Sequence, residues 1–199
     1  MKDNLKINFV GAQGTGKTTL FEEAKKDPDF KEFLFSNEKV RDLLKKKKVT
    51  INEEGDWKSQ KLIFDEYMKV LDQKKSLISD RCIIDVVSYT LWILSFKEMS
   101  EEEKQFTRIE TERQLSILKE RKNDLGTVIY LPIEFNVVGD GIRSMKKEFQ
   151  KEIDLIIRST LQLNSIPYQT ISGSVEQRLK QLKEITFSHV QMLQRNEKM

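Results

Sequence analysis

The chain has 199 residues, 38% of them hydrophobic and 34% charged, which suits one domain with a substantial core better than two. Its 35 Lys and Arg residues against 32 Asp and Glu leave a net charge of +3, too small to predict general binding to nucleic acid or membranes. The single cysteine, Cys82, excludes an intrachain disulfide and a cysteine-cluster metal site. Because no apolar run is long enough to span a bilayer and no signal segment is visible, we expect a cytoplasmic protein without membrane contact.

Short apolar runs bounded by turn residues predict five β-strands, which alternate with longer helical patterns. The runs are Leu5–Gly11, Phe33–Asn37, Ser76–Asp80, Thr127–Pro132 and Tyr168–Gly173. Apolar residues recur at helical spacing over 57–71, 149–161 and 175–193, and Ile83–Phe96 is apolar nearly all round, as in a central buried helix. This alternation predicts an α/β fold, a three-layer doubly wound sandwich with a five-stranded parallel sheet. No repeat or linker divides the chain, so we expect one domain over residues 1–199.

The first predicted strand runs directly into a phosphate-binding loop. Gly11, Gly16, Lys17 and Thr18 satisfy the pattern G-x-x-x-x-G-K-[ST], and a helical segment follows, as the motif requires. In this motif, backbone N–H groups and a helix N-terminus bind phosphate oxygens, the lysine reaches the outer phosphates and the hydroxyl coordinates Mg²⁺. We therefore expect ATP and Mg²⁺ as ligands. The residues expected to contact the nucleotide are Gly11, Gly14, Thr15, Gly16, Lys17, Thr18 and Thr19.

Charged residues follow the second and third strands, at the edge of the sheet where doubly wound folds bind ligands. Asp80 can coordinate Mg²⁺ or accept a substrate proton, and Arg81 can contact a phosphate. The alternative for Asp80 is to cap the next helix. Glu38 and Arg41 lie one helical turn apart and can face one ligand, with an ordinary surface ion pair as the alternative.

The segment DRCIIDVVSY, Asp80 to Tyr89, resembles the Asp-Arg-aromatic segment and following helix of thymidylate kinases. It is also similar to the nicotinamide-riboside-kinase-like group of small P-loop ATPases. The resemblance implies the P-loop kinase fold, and Cys82 stands where thymidylate kinases usually carry an aromatic residue, so base specificity is not carried over. The resemblance further implies an acceptor site formed by Glu38, Arg41, Arg81 and Asp85. The base stays open among Glu38, Asp80 and Asp85.

The stretch LPIEFNVVGDGIRSMKKE, Leu131 to Glu148, follows a strand and carries two close glycines, which predicts a mobile lid over about residues 133–147. Its part GDGIRSMKK resembles the arginine-bearing lid of small-molecule kinases. The resemblance implies that Arg143 stabilises the transferring phosphoryl group, with Lys146 and Lys147 in reserve. A basic surface loop is the alternative.

Together these residues predict a kinase that transfers the γ-phosphoryl group of ATP to a hydroxyl or phosphate of a nucleoside- or nucleotide-type acceptor. Lys17, Asp80, Arg143 and Glu38 are its candidate catalytic residues. Two alternatives stay open: a kinase acting on DNA ends or hydroxymethylated bases, suggested by the lysines at 45–48 and 74–75, and a partner-coupled ATPase or nucleotide switch. The oligomeric state is also open, with a homodimer among the options.

Overall fold

The computed structural model describes residues 4–36, 54–134 and 147–196, with the backbone alone for residues 189–196. Within these ranges the strands are β1 Lys6–Val10, β2 Leu34–Ser36, β3 Leu77–Ser79, β4 Thr127–Tyr130 and β5 Gln169–Thr170. The α-helices are α1 Lys17–Lys26, α2 Trp57–Leu71, α3 Ile83–Phe96, α4 Glu101–Arg121, α5 Lys147–Leu163 and α6 Val175–Asn196. All five predicted strands are confirmed.

The strands form one sheet in the order β2-β3-β1-β4-β5, and every pairing is parallel. The order reverses direction at β1, which lies in the middle between β3 and β4. The loops that follow β1, β3 and β4 therefore emerge side by side at the carboxyl edge of the sheet. This edge is where open α/β sheets bind ligands.

Two hydrophobic cores lie on opposite faces of the sheet, because side chains alternate along each strand. Ile7 and Phe9 of β1 pack in the core under α1 and α6, whereas Val10 packs with the helices α2, α3 and α5 on the other face. The same alternation separates Val128 from Ile129 on β4. This confirms the predicted three-layer sandwich.

Helix α3 is buried along most of its length, as its uniformly apolar sequence predicted. It packs against α2, α4 and α5, so other helices surround it. The helix begins directly after Asp80 and Arg81 and therefore connects the carboxyl edge of the sheet with the helical layer.

Helix α4 was not predicted, because its buried stripe is mostly polar. Gln114 is fully buried; its amide donates to Glu110 Oε1 over 3.0 Å, and its own oxygen accepts the Thr90 hydroxyl over 2.9 Å. The buried positions recur every three or four residues: Thr107, Glu110, Thr111, Gln114 and Leu118. Hydrophobic periodicity cannot reveal a stripe in which four of these five positions are polar. The available signal was the capping box of Ser100 and Glu103 at the helix start.

None of the helices in the described ranges is long and apolar enough to cross a membrane.

Candidate active site

The phosphate-binding loop connects β1 to α1, and its glycines take backbone conformations that other residues disfavour. Gly16 precedes α1 with a φ of 87°, and a β-carbon added there would lie 2.9 Å from Arg178 Nη1. Gly11 has a φ of 153°, and a β-carbon there would lie 2.5 Å from the carbonyl oxygen of Leu131. Conformation and close packing both require glycine at these two positions of the motif.

Lys17 folds back over its own loop. Its side chain is only 5% exposed, and its ammonium donates to the carbonyl oxygens of Gly11 and, over 2.7 Å, Ala12. The Thr15 hydroxyl donates to the same Ala12 oxygen over 3.0 Å. Thr19 lies exposed in the first turn of α1. The loop therefore already holds the positive charge that the motif directs at phosphate.

The two predicted metal ligands lie together. Thr18 lies in the first turn of α1, Asp80 follows β3, and β1 and β3 are neighbours in the sheet. As a result the Thr18 hydroxyl donates to Asp80 Oδ2 over 3.0 Å, and Asp80 is 2% exposed. A hydroxyl and a carboxylate beside a phosphate-binding loop are oxygen ligands of the kind Mg²⁺ prefers, so these residues fit that ion.

Asp85 connects α3 to the phosphate-binding loop. Its carboxylate accepts the backbone N–H of Cys82 over 3.1 Å, which caps the helix, and that of Gly11 over 3.4 Å. Burial raises the pKa of Asp85, and the nearby cations Lys17 and Arg81 offset only part of this rise. The alternative prediction that Asp80 caps α3 is wrong, because Cys82 is the N-cap and the carboxylate of Asp85 reaches back to its N–H.

Arg81 is half-buried among acidic and phenolic side chains beside the loop. Burial lowers the pKa of its guanidinium, but Tyr89, Tyr67 and the carboxylates of Asp80 and Asp85 outweigh this effect and raise it. The guanidinium therefore stays charged, and Arg81 and Lys17 are two cations that both act on Asp85 at the carboxyl edge of the sheet.

A buried glutamine lies inside the phosphate-binding loop. Gln13 is 2% exposed; its side-chain oxygen accepts the Tyr89 hydroxyl over 3.1 Å, and its main-chain oxygen accepts the Gln150 amide over 2.7 Å. Its Nε2 has no hydrogen-bond partner among the described residues. This leaves a buried N–H donor at the loop, a costly arrangement unless another molecule accepts from it.

Arg178 of α6 contacts the loop from the opposite side. Its Nη1 donates to the Thr15 carbonyl oxygen over 2.5 Å, and its Nη2 donates to the Glu134 carboxylate. Glu134 in turn accepts the backbone N–H of Gly173 over 3.1 and 3.0 Å. One arginine thus joins three segments at the carboxyl edge: the phosphate-binding loop, the end of β4 and the loop after β5.

A family model for the AAA domain matches residues 6–178. The chain belongs to this AAA domain family. No curated protein matches the AAA-domain chain.

Solved structures of two kinases and of the NadR protein have the same fold as this AAA-domain chain. Deoxyadenosine kinase from M. mycoides with bound dATP is 14% identical, with a TM-score of 0.65 and coverage of 92% of this chain and 98% of the kinase. Thymidylate kinase from Candida albicans is 17% identical, with a TM-score of 0.62 and coverage of 95% and 94%. The NadR protein in complex with NR is 15% identical, with a TM-score of 0.63, and the match spans 86% of this chain but 46% of NadR. The resemblance to small P-loop kinases is confirmed for the fold.

The residues at the candidate site of the AAA-domain chain, predicted and unpredicted, divide into three groups. The structure brings together Lys17, Thr18, Asp80, Arg81 and Asp85. Glu38, Arg41 and Arg143 lie outside the described residues, as does nearly all of the predicted lid; of that segment, Glu134 is tied to Arg178 and Lys147 begins α5.

The third group comprises residues that sequence reasoning missed: Gln13, Gln150, Glu134 and Arg178. The motif leaves position 13 open, and the other three reach the loop from distant parts of the chain. No local pattern marks them.

Proposed function

We propose that the protein is an ATP-dependent kinase that transfers the γ-phosphoryl group to a hydroxyl or phosphate of a nucleoside- or nucleotide-type acceptor. The observation that carries this proposal is the 3.0 Å contact between Thr18 and Asp80 beside a loop that already holds the Lys17 ammonium. Phosphoryl transfer depends on positioning and charge neutralisation rather than on a strong nucleophile. This site concentrates the groups that supply both.

On the donor side, the N-terminus of α1 and the loop N–H groups would bind the phosphate oxygens of ATP. Lys17 would exchange the carbonyl oxygens of Gly11 and Ala12 for phosphate oxygens, a stronger charge-assisted contact. Thr18 and Asp80 would hold Mg²⁺, which neutralises the phosphate charge when bound.

On the acceptor side, Arg81 and Gln13 both lie next to Tyr89. Arg81 would bind a phosphate or hydroxyl of the acceptor, and the Gln13 amide would donate a hydrogen bond to it. Asp85 already accepts two backbone N–H groups, so we assign it to positioning rather than to proton transfer. Glu38 and Asp80 stay as the candidate bases.

The solved neighbours support a small acceptor but do not select one. By their names, deoxyadenosine kinase and thymidylate kinase act on a nucleoside and a nucleotide, whereas shikimate kinase from Aquifex aeolicus, with a TM-score of 0.51 and 14% identity, acts on a different kind of molecule. Nothing in the described ranges favours a DNA acceptor. Lys74 and Lys75 precede β3 and so lie at the amino edge of the sheet, opposite the phosphate-binding loop.

The test is a labelled-ATP transfer screen against nucleosides, mononucleotides, shikimate and DNA with normal or hydroxymethylated bases. We expect transfer to one nucleoside or mononucleotide class, and we expect Lys17→Ala to abolish it while the circular dichroism spectrum stays unchanged. Transfer to DNA alone would select the polynucleotide kinase. ATP hydrolysis that needs a partner protein, without any phosphorylated acceptor, would replace the kinase with a coupled ATPase.

A further inference from the structure

Arg178 is a buried cation whose hydrogen bonds to Thr15 and Glu134 lie at the carboxyl edge of the sheet. It is 2% exposed, although arginine is among the residues least often buried. Its Nη1 holds the carbonyl oxygen of Thr15, and its guanidinium packs where a side chain on Gly16 would otherwise lie. Thr15 and Gly16 directly precede the lysine and threonine of the phosphate-binding motif.

The other branch of the guanidinium is held by Glu134. The same carboxylate accepts the N–H of Gly173 in the loop between β5 and α6. Burial raises the pKa of Glu134, but Arg178 and the Gly173 N–H together outweigh this effect and lower it. The carboxylate is therefore charged at neutral pH. The pair thus fixes the distance between the loops that follow β1, β4 and β5.

Stability alone is a poor reason for this arrangement. Replacing a buried ion pair with well-packed apolar side chains is often neutral or stabilising. A guanidinium, in contrast, provides several donors in a rigid plane and can hold two acceptors at once in a defined geometry. The geometry therefore favours a role in holding Thr15 and Gly16 in place.

We propose that Arg178 is a positioning residue for the donor phosphates: by holding the Thr15 carbonyl it fixes the loop conformation that binds them, and Glu134 acts through it. This inference rests on the proposed function, because it takes ATP as the ligand of the loop. Arg178 acts through the loop and not on the nucleoside part of ATP.

The experiment measures the affinity of purified protein for Mg²⁺-ATP and for inorganic tripolyphosphate by calorimetry. The variants are Arg178→Met, which keeps an unbranched apolar stem but removes the donors, Arg178→Lys, which keeps the charge, and Glu134→Gln, alone and combined with Arg178→Met. The matched control is Arg113→Met, since Arg113 also forms an ion pair between segments, with Glu110 and Asp65, far along the chain from the loop. Thermal midpoints are measured for every variant.

We expect Arg178→Met to lower the affinity for both ligands by a similar factor, about ten- to a hundredfold, the range for a hydrogen bond from a charged donor. Arg178→Lys should recover part of the loss. The double variant with Glu134→Gln should bind no more weakly than Arg178→Met alone, because Glu134 acts through the arginine. Arg113→Met should lower the thermal midpoint without changing either affinity, which separates positioning from a general loss of stability.

Unchanged affinities in Arg178→Met would overturn the inference. A lower affinity for ATP with an unchanged affinity for tripolyphosphate would also overturn it, because the arginine would then act on the nucleoside part. If Arg178→Met does not fold, Arg178→Lys and Glu134→Gln take its place. A lower affinity for both ligands supports the inference, and unchanged affinities overturn it. A wild-type protein that binds neither ligand would refute the proposed function itself. A wild-type protein and an Arg178→Met variant that bind both ligands equally well would refute only the role of Arg178, so the two failures are distinguishable.

Discussion

Asp85→Asn separates a catalytic base from a carboxylate that only positions the loop. Asparagine has nearly the same shape but no charge, and it cannot take up a proton. Its single oxygen can keep one of the two backbone N–H groups that Asp85 accepts, and its amide then faces the other. The longer of the two contacts, 3.4 Å to the Gly11 N–H, is the one we expect to be lost.

Two effects of this change on the free energy of unfolding oppose each other. A lost hydrogen bond costs about 0.5–1.5 kcal/mol, and a buried N–H left without a partner costs about 1–3 kcal/mol. Burial raises the pKa of Asp85, however, so the ionised carboxylate is itself unfavourable in the folded protein, and removing its charge recovers free energy. We expect a net change at pH 7 of less than about 2 kcal/mol.

The same pKa shift fixes the sign of the pH dependence. Because the folded protein holds the Asp85 proton more tightly than the unfolded chain does, wild-type stability falls as pH rises from the ordinary pKa of 3.8 through the raised one. The variant lacks this group. The free energy of unfolding of the wild type, measured relative to the variant by urea denaturation, should therefore decrease from about pH 4 towards neutral pH.

The effect on function should also be small. Loss of the Gly11 contact corresponds to about a two- to tenfold weaker affinity for Mg²⁺-ATP, the equivalent of one neutral hydrogen bond. Turnover, measured with the acceptor that the screen identifies, should fall by no more than a similar factor. A general base contributes about 10²- to 10⁴-fold, so a turnover loss in that range with unchanged ATP affinity would refute the assignment of Asp85 to positioning.

Further predictions concern the loop, the core and the acid stability. Gly16→Ala should destabilise the protein by about 1–3 kcal/mol, because alanine at a φ of 87° is strained; an unchanged thermal midpoint would contradict this. Phe21→Ala should lower the free energy of unfolding by about 3–5 kcal/mol with the same denaturant slope, since this ring on the inner face of α1 is fully buried. Thr18→Val should reduce the dependence of nucleotide affinity on Mg²⁺, whereas Thr18→Ser should keep it; equal behaviour of the two variants would remove the hydroxyl from the metal site. Burial raises the pKa of Asp27, but Lys183 and a backbone N–H outweigh this effect and lower it. The contribution of Asp27 to the free energy of unfolding is therefore present at neutral pH and is lost as pH falls below about 4. Lys183→Met should therefore lose less stability on acidification than the wild type, and parallel denaturation curves would argue against it.

The sequence predicted the features that depend on residues close together in the chain. The glycines, lysine and threonine of the phosphate-binding loop occupy fixed spacings, and the strands are short apolar runs between turns. Asp80 was placed correctly beside the loop because a parallel sheet brings the ends of β1 and β3 together. The assignment of one domain over residues 1–199 and the roles of the site residues stay predictions.

The remaining features depend on contacts that no local pattern records. Helix α4 was missed because its buried face is mostly polar and does not look hydrophobic. The Thr111 hydroxyl donates to the Thr107 carbonyl oxygen, and the Gln114 amide pairs with Thr90 and Glu110. Arg178 and Gln150 reach the loop across 163 and 137 residues of chain. The sequence on either side of Arg178 and Gln150 does not distinguish them from ordinary helix residues.

The position of Arg178 also affects when, during its synthesis, the protein becomes able to bind a nucleotide. The arginine that holds Thr15 is made 163 residues after it, so the phosphate-binding loop is synthesised well before its support. A nascent chain without α6 therefore carries the complete motif with an unsupported loop. Nucleotide affinity should rise only when α6 has been released and has docked, so that a chain terminated before α6 would bind little ATP despite its intact motif.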